Sequence, residues 1–168
     1  MNIETVLNVL RVDEGLCRGL YFCPAGKLTC GYGHMIEDDD GLTAAQVIDM
    51  IRDGVSTEKA ERWLAEDVAV ATKAVRRYRW FHRHPPHTQC ALVCMVFQLG
   101  ATSFSGFKKA RRALSVGDLD TAAREFLDSK WARDDSPARA RRMIKWMQHG
   151  ALPQRHYRRR PAEIARIA

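Results

Sequence analysis

The sequence predicts an α+β protein that is mainly α-helical, and three features of the 168-residue chain support this. Glycines with aromatic residues between them, from 15 to 36, are typical of short antiparallel strands joined by tight turns. After Ser56-Thr57, apolar residues keep helical spacing for about 20 residues, which predicts a long helix connecting two lobes. Residues 88–99 are nearly all apolar, which predicts a helix at the centre of a core.

The N-terminal third is predicted to contain a helix, the glycine-rich segment and a second helix. Asn2 to Val12 is predicted to be helical because its apolar residues recur with a helical period. An acidic loop is expected from Glu37 to Gly41. Thr43 to Gln46 has the pattern of a capping box, which predicts a short helix to about Ile51, and Asp53-Gly54 then breaks the chain.

The remainder of the chain is predicted to be helical with short breaks. The long helix starts at Ser56 or Thr57, and the segment from His82 to His87, which contains Pro85-Pro86, ends it or begins a loop. Gly100 ends the apolar helix. Further helices are predicted at Phe107 to Leu114, from a cap at Asp118 to about Leu127, and from Ser136-Pro137 to a stop at Gly150.

The charge of the chain favours an anionic partner. The formal net charge is +7 and the isoelectric point is about 9.4, which is compatible with nucleic acid, an anionic membrane or an anionic glycan such as bacterial cell wall. The basic residues are concentrated at Arg76 to Arg83, Lys108 to Arg112, Arg139 to Lys145 and Arg155 to Arg160. Each of these clusters is also compatible with an ordinary solvated helix face.

The sequence shows neither a membrane span nor a signal peptide. No stretch approaches the roughly 18 apolar residues that a spanning helix needs. The segment from Met1 to Glu4 carries an acid and lacks the basic start of a signal peptide. We therefore expect the chain to be cytoplasmic at synthesis and to reach an external substrate only through a separate release factor.

Five cysteines give no metal-binding or disulfide pattern. There is no C-x-x-C pair, and Cys90 and Cys94, four residues apart, lack the companion ligands of a zinc site. Reduced, mostly buried thiols are the expected state. Neither a cofactor nor a metal is predicted.

One short stretch combines the groups that glycosidic-bond hydrolysis requires. Glu14 is an acid, Cys23 is a thiol nine positions later, and Thr29 is a hydroxyl six positions further on, with glycines around them and His34 at the end. Hydrolysis of this bond needs an acid, a second polar group and a positioned water. The thiol is unusual, because a second carboxylate normally occupies that role.

Five segments together carry a resemblance to one family. They are Leu10 to Leu16, Thr29 to His34, Cys90 to Gly100, Ser129 to Trp131, and Ser136 to Arg142. In these segments and their order, the chain resembles the phage-type lysozymes (muramidases) of the T-even coliphage lysozyme family, a class of endolysins. The resemblance runs from near the N-terminus to about Gly150.

The resemblance implies three catalytic residues. Glu14 matches the catalytic glutamate; burial of a carboxyl group favours its protonated form, which can then protonate the leaving oxygen. Cys23 matches a second catalytic position that is aspartate or cysteine in the family. It could act as nucleophile, as base for water or as electrostatic stabiliser, and the first two roles require a thiolate. Thr29 matches a threonine expected to hold the attacking water.

The resemblance also implies residues that support the cleft. His34 and Asp67 match a structural ion pair between the lobes. Arg139 matches an arginine that faces the catalytic glutamate and favours its ionised form, which opposes its role as an acid. Gln98 and Trp131 are expected to pack behind the cleft.

Two residues match positions that contact the sugar. These are Met35 and Phe97, although plain core packing is equally expected for Phe97.

The leading expectation is hydrolysis of the β-1,4 bond between N-acetylmuramic acid and N-acetylglucosamine in peptidoglycan, for host-cell lysis and phage release. The expected architecture is one domain over residues 1–168: a small N-terminal lobe with the sheet at about 13–56, a helix at about 57–77, and a larger helical lobe at about 78–168, to which the N-terminal helix is added. A monomer without nucleic acid or stable membrane insertion is expected.

Three alternatives remain open at this point. A basic helical protein could bind nucleic acid, although no recognised nucleic-acid motif occurs. A lysozyme-like protein could bind the wall without cutting it. A lytic transglycosylase could use Glu14 alone and leave a 1,6-anhydro product.

Overall fold

The structure is a computed structural model that describes residues 1–23, 26–36 and 40–152. Most of the acidic loop predicted at 37–41, and all of the basic tail after residue 152, lie outside the described residues. The N-terminal elements are helix α1 (Ile3–Glu14), strands β1 (Cys17–Phe22), β2 (Leu28–Gly31) and β3 (His34–Met35), and helices α2 (Ala44–Asp53) and α3 (Thr57–Arg76).

The C-terminal elements are all helical. They are a 3-10 helix (Arg79–Arg83), α4 (Pro86–Ser105), α5 (Lys108–Ser115), α6 (Leu119–Leu127), a π-helical turn (Trp131–Asp135) and α7 (Pro137–His149). The predicted α+β, mainly α class is confirmed.

Helix α1 ends at Glu14, the residue predicted to be the catalytic acid. The Asn2 side chain accepts a hydrogen bond from the Thr5 N–H and so begins the helix. Gly15 ends it, with φ of 70°, a conformation that glycine adopts without strain. The helix therefore ends two residues later than predicted, and Glu14 is its last residue.

The three strands form one antiparallel sheet in the order β1-β2-β3. Tyr21 pairs with Thr29, and Thr29 pairs with Met35. Directly paired residues project from the same face of a sheet. Tyr21, Thr29 and Met35 therefore share one face, while Cys30 and His34, which also pair, share the other.

Helix α4 forms the centre of the core, as its uniform apolarity predicts. All residues from Cys90 to Val96 are buried, and α4 packs on α1, α3 and α7. It is long and apolar enough to cross a membrane, but half of that stretch is buried inside the protein, as expected of a core helix. Gly100 leaves helical geometry with φ of 76°, and the helix then resumes to Ser105.

Local signals in the chain account for several of the other helix ends. The Thr43–Gln46 capping box and the Ser56 cap are both present. The loop expected from His82 to His87 is wrong in part, because the 3-10 helix runs to Arg83 and α4 begins at Pro86. Proline is tolerated in the first turn of a helix, where the N–H it lacks would have no helical partner.

Candidate active site

Glu14 projects from the C-terminal end of α1 toward α7 and the turn between β2 and β3. Its Oε1 lies 2.7 Å from Nη1 of Arg139, and its side chain is 21% exposed. A Cβ atom at Gly33 would lie 3.8 Å from Oε2 of Glu14, so that turn faces the carboxylate. The acid is thus half-buried, ion-paired on one side and open to a glycine turn on the other.

The residue before Glu14 joins the same charged group. The Asp13 side chain is fully buried, with Oδ1 2.9 Å from Nη2 of Arg142 and Oδ2 3.3 Å from Nε of Arg139. Two adjacent carboxylates of α1 therefore meet two guanidinium groups of α7. Sequence reasoning named Glu14 and Arg139 but missed Asp13 and Arg142; the i, i+3 spacing of the two arginines on α7 was the available signal.

Cys23 and Thr29 are linked by one backbone carbonyl. The Cys23 N–H and the Thr29 hydroxyl both donate to the Lys27 carbonyl oxygen, each at 2.9 Å. The Gly26 N–H closes the turn by donating to the Cys23 carbonyl at 2.8 Å. We call this arrangement the Lys27 hub. It fixes the thiol-bearing and hydroxyl-bearing residues relative to each other within a single hairpin.

Tyr21 connects the hairpin electrostatically to Glu14. Burial raises the pKa of the Tyr21 hydroxyl, and the charges of Cys17, Glu14 and Cys23 raise it further. Tyr21 also shares the sheet face of Thr29. Glu14 and Cys23 are therefore both within electrostatic reach of one side chain, although sequence reasoning assigned Tyr21 no role.

His34 lies between two carboxylates and against an indole ring. Its Nδ1 is 2.9 Å from Oδ2 of Asp67 and its Nε2 is 3.2 Å from Oδ1 of Asp40. The ring stacks on Trp63 with centroids 4.4 Å apart. Burial lowers the pKa of His34, but the hydrogen bond to Asp67 and the charges of both acids outweigh burial, so the pKa is raised. Asp40 was not anticipated from the sequence.

Met35 and Phe97 both line one groove. The groove has a volume of about 450 Å³ and is also lined by Gly33, His34 and Asp67. Met35 is 45% exposed, whereas Phe97 is partly buried against the core. Gly33 lines the groove and also lies close to Glu14, so the candidate acid is near the groove. A lining of apolar side chains, carboxylates and an imidazole suits a sugar, which has both apolar faces and hydroxyl groups.

Gln98 and Trp131 form a polar link behind this site. Trp131 Nε1 donates to Gln98 Oε1 at 3.2 Å, and Gln98 Nε2 donates to the Ser136 hydroxyl at 2.9 Å. Ser136 directly precedes α7, the helix that carries Arg139. The link therefore ties α4 to the start of the helix that positions the arginine.

The chemistry available here is proton transfer and nucleophilic or polar catalysis. The acid lies close to Gly33, which lines the groove, and the thiol and the hydroxyl are held together in the hairpin of β1 and β2. Within residues 1–23, 26–36 and 40–152, no group of three or more histidine, cysteine or acidic side chains is arranged to hold a metal ion.

Comparison with known proteins agrees with this chemistry. The model of the phage lysozyme family matches residues 12–162. An endolysin of Acyrthosiphon pisum secondary endosymbiont phage 1 is 32% identical over 133 residues, covering 77% of this chain and 79% of that protein. Probable T4-type lysozyme 2 of Dictyostelium discoideum is 24% identical over 168 residues, covering 90% and 98%.

A second protein of the same amoeba, probable T4-type lysozyme 1, is 24% identical over 166 residues, covering 89% of this chain and 97% of its own length. The family model spans most of the chain, including Glu14, Cys23, Thr29 and Arg139. The chain belongs to the phage lysozyme family and is a lysozyme-type glycoside hydrolase that acts on peptidoglycan.

Proposed function

We propose that this enzyme is an endolysin that hydrolyses the β-1,4 bond between N-acetylmuramic acid and N-acetylglucosamine, and that it lyses the host cell at the end of phage growth. The observation that carries the proposal is the placement of Glu14. It is a half-buried carboxyl group that faces a glycine turn beside a sugar-compatible groove.

Glu14 is the proposed general acid. In its protonated form it donates a proton to the glycosidic oxygen as the bond from that oxygen to the anomeric carbon breaks. The sugar then carries oxocarbenium character until water adds to the anomeric carbon. The ion pair with Arg139 opposes the protonated form before reaction, and it stabilises the carboxylate that remains after the proton has left.

Cys23 and Thr29 are proposed to act on the other side of the sugar. As a thiolate, Cys23 could attack the anomeric carbon or take a proton from water; its charge could also stabilise the oxocarbenium ion. The Thr29 hydroxyl already donates to the Lys27 carbonyl, so it would orient a water by accepting a hydrogen bond. The Lys27 hub would keep both groups in register.

Met35 and Phe97 are proposed to contact the glycan, while His34, Asp67, Gln98, Trp131 and Arg139 hold the cleft. We also propose that residues 1–168 act as one monomeric domain with the cleft between its lobes. The net charge of +7 would increase the encounter rate with the anionic wall. Synthesis in the host cytoplasm with release by a separate factor completes the proposal.

The test is lysis of permeabilised Gram-negative cells combined with analysis of the released fragments. We expect the wild type to clear the suspension and to leave reducing muramic acid ends. Glu14→Gln should lower the rate by about 10³-fold, which is within the usual range for removal of a general acid. Glu66→Gln, at an exposed acid on α3, is the matched control and should keep the wild-type rate.

The product distinguishes this proposal from its alternatives. A 1,6-anhydro muramic acid end would identify a transglycosylase that uses Glu14 without hydrolysis. Retention on the wall without any new end would identify a binding protein. Either result would overturn the proposed hydrolysis. A Glu14→Gln variant that is as active as the control would instead remove Glu14 as the general acid.

A further inference from the structure

Four charged side chains form a continuous chain behind the candidate acid. Glu14 contacts Arg139, Arg139 contacts Asp13, and Asp13 contacts Arg142, at 2.7, 3.3 and 2.9 Å respectively. The two acids are adjacent at the end of α1, and the two arginines lie one helical turn apart on α7. Arg139 is thus shared between the acid that faces the groove and one that is fully buried.

We propose that Asp13 and Arg142, which we call the counter-pair, are positioning residues that set how strongly Arg139 holds Glu14 and so how readily Glu14 donates its proton. The inference rests on the proposed role of Glu14 as general acid. It assigns a catalytic consequence to two residues that do not face the substrate groove.

The geometry shows that the Arg139 guanidinium is shared between Glu14 and Asp13. Its Nη1 makes a short contact with Glu14, whereas its Nε contact with Asp13 lacks hydrogen-bond alignment. Its Nη2 is buried and has no hydrogen-bond partner among the described residues. A guanidinium with unused donors between two carboxylates can move toward either one, and burial makes such a charge interaction stronger than it would be in water.

Arg142 competes with Arg139 for the carboxylate of Asp13. It donates to Asp13 at 2.9 Å from the side opposite Glu14 along the chain of contacts. Removing Arg142 would leave Asp13 to attract Arg139 away from Glu14. Removing the charge of Asp13 would instead leave Arg139 entirely to Glu14. The two changes therefore have opposite signs.

Several other titratable groups are close to Glu14, and the variants leave all of them unchanged. Cys94 on α4 is buried, which raises the pKa of its thiol and keeps it neutral. Tyr21 on β1 also has a raised pKa and stays neutral near pH 7. Cys23, which follows β1, is left unchanged in every variant below. On α7 Arg139 contacts Glu14, and Asp13 and Arg142 follow along the chain of ion pairs. His34, which follows the Gly33 turn, has a raised pKa and is also left unchanged in every variant below.

The experiment follows the Glu14 carboxyl carbon by NMR in protein labelled at glutamate side chains. We expect Asp13→Asn to move the midpoint of its titration to lower pH and Arg142→Gln to move it to higher pH, each by about half to one pH unit. Arg142→Lys keeps the charge and should restore most of the wild-type midpoint. Shifts of the same sign, or none in either variant, would overturn the inference.

An Arg139→Gln background separates positioning from plain charge effects. If Arg139 transmits the effect, adding Arg142→Gln to Arg139→Gln should move the midpoint by less than about a third of its shift in the wild type. A full shift without Arg139 would mean direct interaction with Glu14 and would refute the inference. If Asp13→Asn does not fold, the Arg142→Gln measurements in the two backgrounds decide the matter alone.

The pH dependence of the lytic rate distinguishes failure of this inference from failure of the proposed function. The alkaline limit of the lytic rate should move with the NMR midpoint in each variant. If the midpoints move as expected but the activity limit stays, the positioning inference stands and the general-acid role of Glu14 fails. If the midpoints stay while Glu14→Gln remains inactive, the role of Glu14 stands and the counter-pair inference fails.

Discussion

The two halves of the candidate site are held in place in different ways. Glu14 is held by side chains from a distant part of the chain; its neighbour Asp13 pairs with Arg142, 129 residues away in sequence. Cys23 and Thr29 are held by backbone contacts inside one hairpin, through the Lys27 hub. One half depends on ion pairs between α1 and α7, and the other depends on a turn.

This difference predicts how each half responds to substitution. A buried charge network loses much of its stability when one member is removed, because the remaining charges stay buried without compensation. A backbone turn loses only the contact that is removed. Substitutions near Glu14 should therefore affect stability and activity together, whereas substitutions at Cys23 should affect activity with little change in stability.

Within the hairpin half of the site, the largest expected effect is on activity, at Cys23. Cys23→Ser should lower the lytic rate by about 10²-fold, because a hydroxyl does not ionise near neutral pH as a thiol can. Cys23→Asp, which supplies a carboxylate at the same position, should stay within about tenfold of the wild type. Cys17→Ser, at the exposed thiol that begins β1, is the control. A serine variant with the wild-type rate would remove Cys23 from the mechanism.

The next effect is on stability, at Asp13. Asp13→Asn should lower the free energy of unfolding by about 3 kcal/mol, because Arg139 and Arg142 keep their charges in a buried place. Urea denaturation measures this difference. Asp49→Asn, which breaks an exposed pair with Arg52 on α2, should change the same quantity by less than about 0.5 kcal/mol. Equal losses in the two variants would contradict the comparison.

The same contrast explains what could be predicted from the sequence. Helix starts and ends depend on nearby residues, so the Thr43 cap, the Ser56 cap and the Gly150 stop were all predicted correctly. Resemblance to the family supplied Glu14, Cys23, Thr29 and Arg139 as candidates. Local pattern alone carries no information on which distant side chains meet.

The missed residues are those whose roles depend on tertiary packing. Asp13 looked like an ordinary acid near the end of a helix, and nothing within ten residues shows that it is buried against α7. Asp40 is an exception: it lies only six residues from His34, and no local pattern in the sequence indicated their contact. The π-helical turn at Trp131–Asp135 also has no clear local signal.

His34 has both a local contact, in the sheet, and a distant contact, with α3. The stability that it contributes should depend on pH. His34 belongs to the sheet by backbone pairing and to α3 by its contact with Asp67. Because its pKa is raised in the folded protein, its contribution to stability is complete below about pH 6.5 and is lost as pH rises through the raised value. His34→Gln should therefore lower the free energy of unfolding by about 2 kcal/mol at pH 5.5, the scale of a charged hydrogen bond, and by less at pH 9.

Denaturation of the wild type and His34→Gln at the two pH values measures that difference. His82→Gln, at an exposed histidine of the 3-10 helix, should match the wild type at both. A His34 deficit that grows with pH would mean that the neutral ring, rather than the imidazolium, is the stabilising form.

The smallest effect is expected at Thr29, and it tests the hub itself. Thr29→Val removes one of the two hydrogen bonds to the Lys27 carbonyl, while the Cys23 N–H still satisfies that oxygen. The free energy of unfolding should fall by only about 1 kcal/mol, well below the loss at Asp13. Thr29→Ser keeps the hydroxyl and is the matched control. Because so small a loss leaves the protein folded, any larger drop in lytic rate for valine than for serine measures the hydroxyl's part in holding water. If valine instead destabilises the protein as much as Asp13→Asn does, the hairpin is not the locally held half of the site.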